Sequence, residues 1–143
     1  MALLSSGPSI YRSLGTQPSY CDFEQTVDFS DCIFHGDFIA GDKDKSHTVF
    51  RKDLLCNRAV FNEAARFRGV RCEGKALFRE TSFDSEDGEA DFGGASFKEA
   101  VDCEGSIFFG GANFELLRCG VGSFRDALFH NEVMLVNFTA ASF

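Results

Sequence analysis

One feature constrains this chain more than any other: large apolar residues recur every five or six positions. From Phe50 they fall at 50, 56, 61, 67, 72, 78 and 83, and after an interruption at 92, 97, 103, 108, 114, 119, 124 and 129, then at Phe138 and Phe143. Phenylalanine fills most of these slots, which explains why the chain holds 18 Phe beside 2 Tyr and no Trp. Cys56, Cys72, Cys103 and Cys119 fill the others. Ahead of Phe50 the rhythm is rougher, with Phe23, Phe29, Phe34 and Phe38 followed by a gap. Such self-similarity is the mark of stacked repeats. A step of five or six is too long for a helical turn and too short for a free-standing strand. It suits a short extended face followed by a corner.

Two residues before each slot the side chain is usually small, as at Ala59, Ala65, Val70, Ala76, Thr81, Ala90, Ala95, Ala112, Ala127 and Ala141. Residues two apart on an extended segment share a side. Each unit therefore turns one large and one small side chain inward, and both neighbours of the large one face out. Stacked coils would pair their backbones and build interior ring ladders from Phe61, Phe67, Phe78, Phe83, Phe92, Phe97, Phe108, Phe114, Phe124 and Phe129. Full burial of each ring contributes about 1.5–3 kcal/mol. In the same slot Cys acts as a small hydrophobe that relieves ring crowding. Cys56 and Cys72 are three units apart, as are Cys103 and Cys119, so neither pair shares a ladder.

Ala90-Asp91-Phe92 and Ala112-Asn113-Phe114, with Gly36-Asp37-Phe38 and Val136-Asn137-Phe138 close behind, resemble the pentapeptide-repeat proteins. That family's unit is a small residue, Asp or Asn, a central Leu or Phe, and two variable positions. The resemblance spans residues 21–143 and implies an all-β fold, a right-handed quadrilateral β-helix with one unit per side. The frequent six-residue steps depart from the family pattern. With four sides a coil takes 21 or 22 residues, since Phe108 to Phe129 is 21 and Cys56 to Phe78 is 22. About five coils result, in a rod roughly 24 Å tall. Residues 1–20 are non-repetitive, carry Pro8 and Pro18, and are expected to cap the first coil. Residues 39–49 contain no Phe and read as a polar loop, and Asp84 to Glu89 read as a second, acidic interruption. Phe143 is itself a central repeat residue, so the C-terminal edge is expected to pair with another copy or to continue in a longer polypeptide.

The formal charge of −8 is unevenly spread: residues 1–40 carry −4, residues 41–80 carry +4 and residues 81–143 carry −8. Direct nucleic-acid binding is not expected of so acidic a chain. Some pentapeptide-repeat proteins are acidic rods that imitate duplex DNA and modulate type II topoisomerases such as gyrase, and the resemblance makes this the alternative function. The basic belt at 43–79 runs against it, because DNA presents unbroken negative charge. So does a rod shorter than one helical turn of about 34 Å.

The leading expectation is a non-catalytic scaffold for protein–protein interaction, through a protein partner or self-association. No C-x-x-C pair occurs, and His35, His47 and His130 lie far apart, so neither a zinc module nor a cofactor is expected. Asp44, Ser46 and His47 share one charged loop without making a triad, and Gly93-Gly94 and Gly110-Gly111 suit repeat corners better than a phosphate loop. The N-terminus lacks a secretory pattern, no stretch approaches about 20 apolar residues, and a cytoplasmic location follows as the expectation. The candidate surface is apolar: Ile107 and Phe109 flank Phe108, Leu128 should stack beside Ile107, and Leu55 with Leu77 form a second outward pair. Asp42, Lys43, Asp44, Lys45 and His47 form a candidate recognition loop.

Overall fold

A computed structural model describes residues 21–41, 48–130 and 136–143, which form strands and turns and no helix. The chain winds as a parallel β-solenoid of stacked coils. Its first face carries β1 (Asp22–Phe23), β5 (Val49–Phe50) and β9 (Arg71–Cys72), and its second carries β2 (Val27–Asp28), β6 (Leu54–Leu55) and β10 (Lys75–Leu77). Two longer strands, β13 (Ser96–Asp102) and β16 (Arg118–Ser123), run round the corner and join both faces into one sheet. The third face stacks β3 (Ile33–Phe34), β7 (Val60–Phe61), β11 (Ser82–Phe83), β14 (Ile107–Phe108) and β17 (Leu128–Phe129). The fourth stacks β4 (Phe38–Gly41), β8 (Ala65–Phe67), β12 (Ala90–Asp91), β15 (Ala112–Asn113) and β18 (Val136–Asn137). Four faces thus appear as three sheets. Five strands on a face mark four complete turns from first to last.

The alternation of five- and six-residue steps has a conformational cause. Corners leaving the second and fourth faces are tight turns in which the central residue's carbonyl accepts from the N–H three residues on, as in Ala59 N to Cys56 O and Ala95 N to Phe92 O, both 3.1 Å. Their third residue has positive φ: Asp31, Arg58, Glu80, Gly105 and Asp126 after the second face, and Gly69, Gly94, Leu116 and Ala140 after the fourth. These are the five-residue steps. Corners leaving the first and third faces carry the extra residue, except in the last coil, where Cys119 to Phe124 is five and the register against β13 shifts by one, and the acidic interruption 84–89 falls on a third-face corner. Asp or Asn before the central ring belongs to the tight corners. Its side chain accepts from the N–H two residues on, in Asp28–Ser30, Asp91–Gly93, Asp102–Glu104, Asn113–Glu115 and Asn137–Thr139 at 2.8–3.0 Å.

Left-handed backbone costs a side chain about 1–2 kcal/mol. Leu116 sits there half-exposed, with φ 56°. Leu116→Gly should therefore stabilise the protein by about 0.5–1 kcal/mol, after allowance for glycine's larger unfolded-state entropy. Gly94→Ala should destabilise by about 1 kcal/mol, although open space surrounds that position. Urea midpoints of the two variants should move in opposite directions, and a Leu116→Gly variant that melts early would contradict this reading of the corner.

Inside, the four columns follow two rules. On the third face Phe34, Phe61, Phe83, Phe108 and Phe129 stack nearly parallel, with ring centroids 4.7–5.2 Å apart. On the fourth, Phe67, Phe92, Phe114 and Phe138 do the same at 4.7–5.2 Å. The other two columns alternate: on the first face Phe23 stacks on Phe50 and alternation then runs Phe50, Cys72, Phe97 and Cys119, and on the second it runs Phe29, Cys56, Phe78, Cys103 and Phe124. They alternate out of phase, so each coil from Phe50 onward holds three Phe and one Cys. Wherever Cys takes the large slot, the slot two residues earlier is enlarged, to Leu54, Val70, Val101 and Leu117. All four of these side chains are buried.

Of the expected core rings, Phe61, Phe67, Phe78, Phe83, Phe92, Phe97, Phe108 and Phe114 are buried, whereas Phe124 and Phe129 are only partly so. Among the described residues only 139–143 lie beyond the last coil, and Phe143 meets Phe124 edge-on without burying it. Burial pushes the thiols of Cys56 and Cys103 far up in pKa and that of Cys72 up to about 11. Cys119, in the last coil, is half-exposed, and its thiol is also raised by burial. A thiol reagent at mildly alkaline pH should label Cys119 in the native state but Cys56 and Cys103 only after unfolding. Fast native labelling of Cys56 would contradict its place in the ladder.

The polar loop expected at 39–49 is shorter at both ends. β4 continues through Ile39 and Ala40 to Gly41, and β5 begins at Val49. The rest of that loop, including the candidate recognition residues Asp42, Lys43, Asp44, Lys45 and His47, lies outside the described residues, as does the expected cap at 1–20.

Candidate interaction surface

Strand alternation gives each face two outward columns, one before and one after the central ring. On the third face the first column runs Ile33, Val60, Ser82, Ile107, Leu128 in register. Ile107 and Leu128 are direct partners, as the spacing predicts, and Phe108 is fully buried while Phe109 is 39% exposed. The second column is His35, Asn62, Asp84, Phe109 and His130. Asn62 Nδ2 lies 3.0 Å from His35 Nδ1, and Phe109 stacks on the His130 ring at 5.1 Å. Ile33 and Leu128, at 42% and 53% exposed, stand at the two ends of the apolar column.

Leu55 and Leu77 also pair directly, but on the second face, between Asp28 and Asp102 in the same column. Both are half-buried and belong to a separate patch. The third face is thus the apolar wall. Among its ten outward residues Asp84 alone carries a carboxylate, and none is Lys or Arg. The absence of the side-chain-capped tight turn on this face explains why: no Asp or Asn is required before its rings, so Ile, Val and Leu can occupy that position. Ile33 and Val60 escape a reading of the sequence because their register depends on the irregular first coil.

Five arginines of the basic belt, Arg51, Arg58, Arg66, Arg68 and Arg79, are ion-paired, while Lys52, Arg71 and Lys75 have no ion pair among the described residues. Arg58 reaches Asp31 at 2.7 Å, Arg79 reaches Asp102 at 2.6 Å, Arg68 reaches Asp91 at 3.4 Å, and Arg51 bridges Asp22 and Glu73 at 2.8 and 2.9 Å. Each partner sits on an adjacent coil, so the charges alternate up the wall. The Arg58 guanidinium holds the Asp31 carboxyl below its ordinary range. The Arg58–Asp31 and Arg51 pairs lie open to solvent, whereas the carboxylates of Asp91 and Asp102 are buried beneath their arginines.

Uncompensated charge collects at the corner beside the apolar wall. Glu63, Asp84, Glu86 and Asp87 are exposed, and among the described residues none of them is ion-paired. Asp84 accepts from the Ser82 hydroxyl. The 84–89 insertion folds against the next coil at Gly110, where a Cβ would collide with the carbonyls of Ser85 and Gly88. Asp84 is the neighbour of Phe109 in the outward column. A shallow recess lined by Asp37, Glu63, Arg66, Asp87, Glu89 and Asp91 continues the acidic rim.

No known protein family matches the sequence. The curated proteins contain no match, and neither do the solved structures. Among the described residues no helix is long and apolar enough to cross a membrane.

Proposed function

We propose that this chain is a Phe-rich, right-handed solenoid of the pentapeptide-repeat type that acts as a non-catalytic scaffold and binds a protein through its third face. The observation that carries the reading is the wall of Ile33, Val60, Ile107, Leu128 and Phe109, kept clear of basic side chains on a rod whose other faces are charged. Contiguous exposed apolar surface on a soluble fold is characteristic of contact sites. The Asp/Asn positions that cap the tight corners support the family assignment. The DNA-mimic alternative gains nothing from the paired arginines, which interrupt any continuous line of carboxylates.

Ile107→Asp combined with Leu128→Asp should leave the far-UV spectrum and the urea midpoint nearly unchanged, because both side chains point outward. It should abolish capture of the partner from native extract and any self-association in sedimentation. Unaltered capture by the double variant would remove the third face from the function.

A further inference from the structure

We infer that the occupant of the third face is a basic amphipathic helix lying along the rod, an assignment that rests on the scaffold reading above and specifies its partner. The lateral wall of a solenoid has no free strand edge, since each strand is already paired with the coils on either side. A partner therefore cannot add a strand here and must bring side chains instead. Of the common recognition elements, an amphipathic helix presents a side-chain stripe on one continuous line.

The dimensions suit it. From Ile33 to Leu128 the apolar column spans four strand spacings, about 19 Å. About 13 helical residues cover that length at 1.5 Å each. The helix pitch of 5.4 Å and the coil spacing of about 4.8 Å are brought into step by a tilt of roughly 27°. Leu-type residues at i, i+3 or i+4, and i+7 would then fall over successive coils. Ser82 interrupts the column midway, and its hydroxyl is already committed to Asp84. That rung takes a polar side chain rather than another Leu.

Charge sets the rest of the helix. Beside the apolar column the wall offers Asp84 and, just past the corner, Glu63, Glu86 and Asp87, none of them ion-paired among the described residues. On the opposite flank the cations nearest the column are already occupied: Arg58 by Asp31, Arg79 by Asp102 and Arg125 by Glu104. The uncompensated field at the apolar wall is therefore strongly negative on one side and weakly negative on the other, where Glu80 has no ion pair among the described residues and Asp126 shares Arg125 with Glu104. A helix with Lys or Arg along one edge of its apolar stripe complements both.

The test uses the whole protein and three stapled helical peptides of about 14 residues. One carries a Leu stripe edged by Lys, the second has Glu in place of Lys, and the third keeps Lys but has Ser in place of Leu. Fluorescence anisotropy should show the first binding at least about tenfold tighter than either control and weakening as salt is raised. Asp84→Asn with Glu86→Gln should weaken that peptide by about fivefold, as expected for two solvent-screened charges. Ile107→Asp with Leu128→Asp should weaken it by at least about thirtyfold. Equal binding of the Glu peptide overturns the charge assignment, equal binding of the Ser peptide overturns the apolar seat, and no binding by any peptide overturns the helix. If extract capture still depends on Ile107 and Leu128 while the peptides fail, the helix assignment falls and the scaffold stands. If capture survives the double variant, both fall.

Discussion

Replacing Phe92 with alanine should cost about 3–5 kcal/mol, whereas replacing Phe138, two coils further up the same column, should cost only about 1–2 kcal/mol. The Phe92 ring is fully buried and lies between Phe67 at 5.0 Å and Phe114 at 5.2 Å, nearly parallel to both. Phe78 at 5.3 Å and Phe83 at 6.0 Å meet it edge-on. Its loss opens a cavity walled by four other rings, of which Phe67 and Phe114 are its own stack neighbours and Phe83 is held in the adjacent stack. Phe138 stacks on Phe114 at 4.7 Å but is 40% exposed, so water already reaches it.

The position of Phe92 adds a kinetic and cooperative consequence. In a solenoid each coil is stabilised mainly by its two neighbours. A void in the third coil weakens the coupling of the first two to the last two. The urea transition of Phe92→Ala should broaden as well as shift, with a smaller apparent m-value. For Phe138→Ala the midpoint should shift slightly with no change in breadth. Equal shifts for both variants would show that the ladders do not carry the stability of this fold.

How much of this was legible beforehand depends on which physical rule governs each feature. Strand alternation is local, so spacing alone requires one of Phe108 and Phe109 to face out, and the register, with Ile107 beside Leu128, makes Phe108 the inward ring. The corners could not. Positive φ is advertised by glycine at Gly69, Gly94 and Gly105, but Arg58, Glu80 and Leu116 adopt it without any sequence signal. The six-residue steps consequently look like irregularities of the repeat when they mark two of the four corners. The ion pairs need three-dimensional register: Arg58 and Asp31 are 27 residues apart, and Arg79 and Asp102 are 23 apart. A charge count therefore cannot separate the five arginines of the belt that are paired across coils from Lys52, Arg71 and Lys75, which have no ion pair among the described residues. Ile33 was hidden because only four residues separate Phe34 from Phe38 and twelve separate Phe38 from Phe50, which obscures the first coil. The cysteine pattern was present in the sequence in full. Cys56 and Cys103 share one column and Cys72 and Cys119 another, with a Phe between the members of each pair.

That pattern makes the last prediction a double-mutant cycle at Leu54 and Cys56. Both side chains are fully buried. On the second face the inward pairs, coil by coil, are Val27 with Phe29, Leu54 with Cys56, Ala76 with Phe78, Val101 with Cys103 and Gly122 with Phe124. From the second coil onward a ring is matched by Ala or Gly and a thiol by a branched residue; only the first coil, with Val27 beside Phe29, departs from this. Leu54→Ala alone should cost about 2–5 kcal/mol through the cavity it leaves. Cys56→Phe alone should cost about 1–3 kcal/mol, since a ring is forced beside an intact Leu54. Combined, they recreate the Ala76/Phe78 arrangement of the next coil, and the ring can fill the space that Leu54 vacates. The double variant should therefore be more stable than the sum of the two losses by at least about 1 kcal/mol, a coupling within the range measured for residues in contact. It should not return to the wild-type value, because the second coil would then hold four rings, Phe50, Phe61 and Phe67 already occupying its other faces. Strict additivity in urea melts would mean that the alternation of Phe and Cys is not a packing device, and the checkerboard of the first two faces would need another cause.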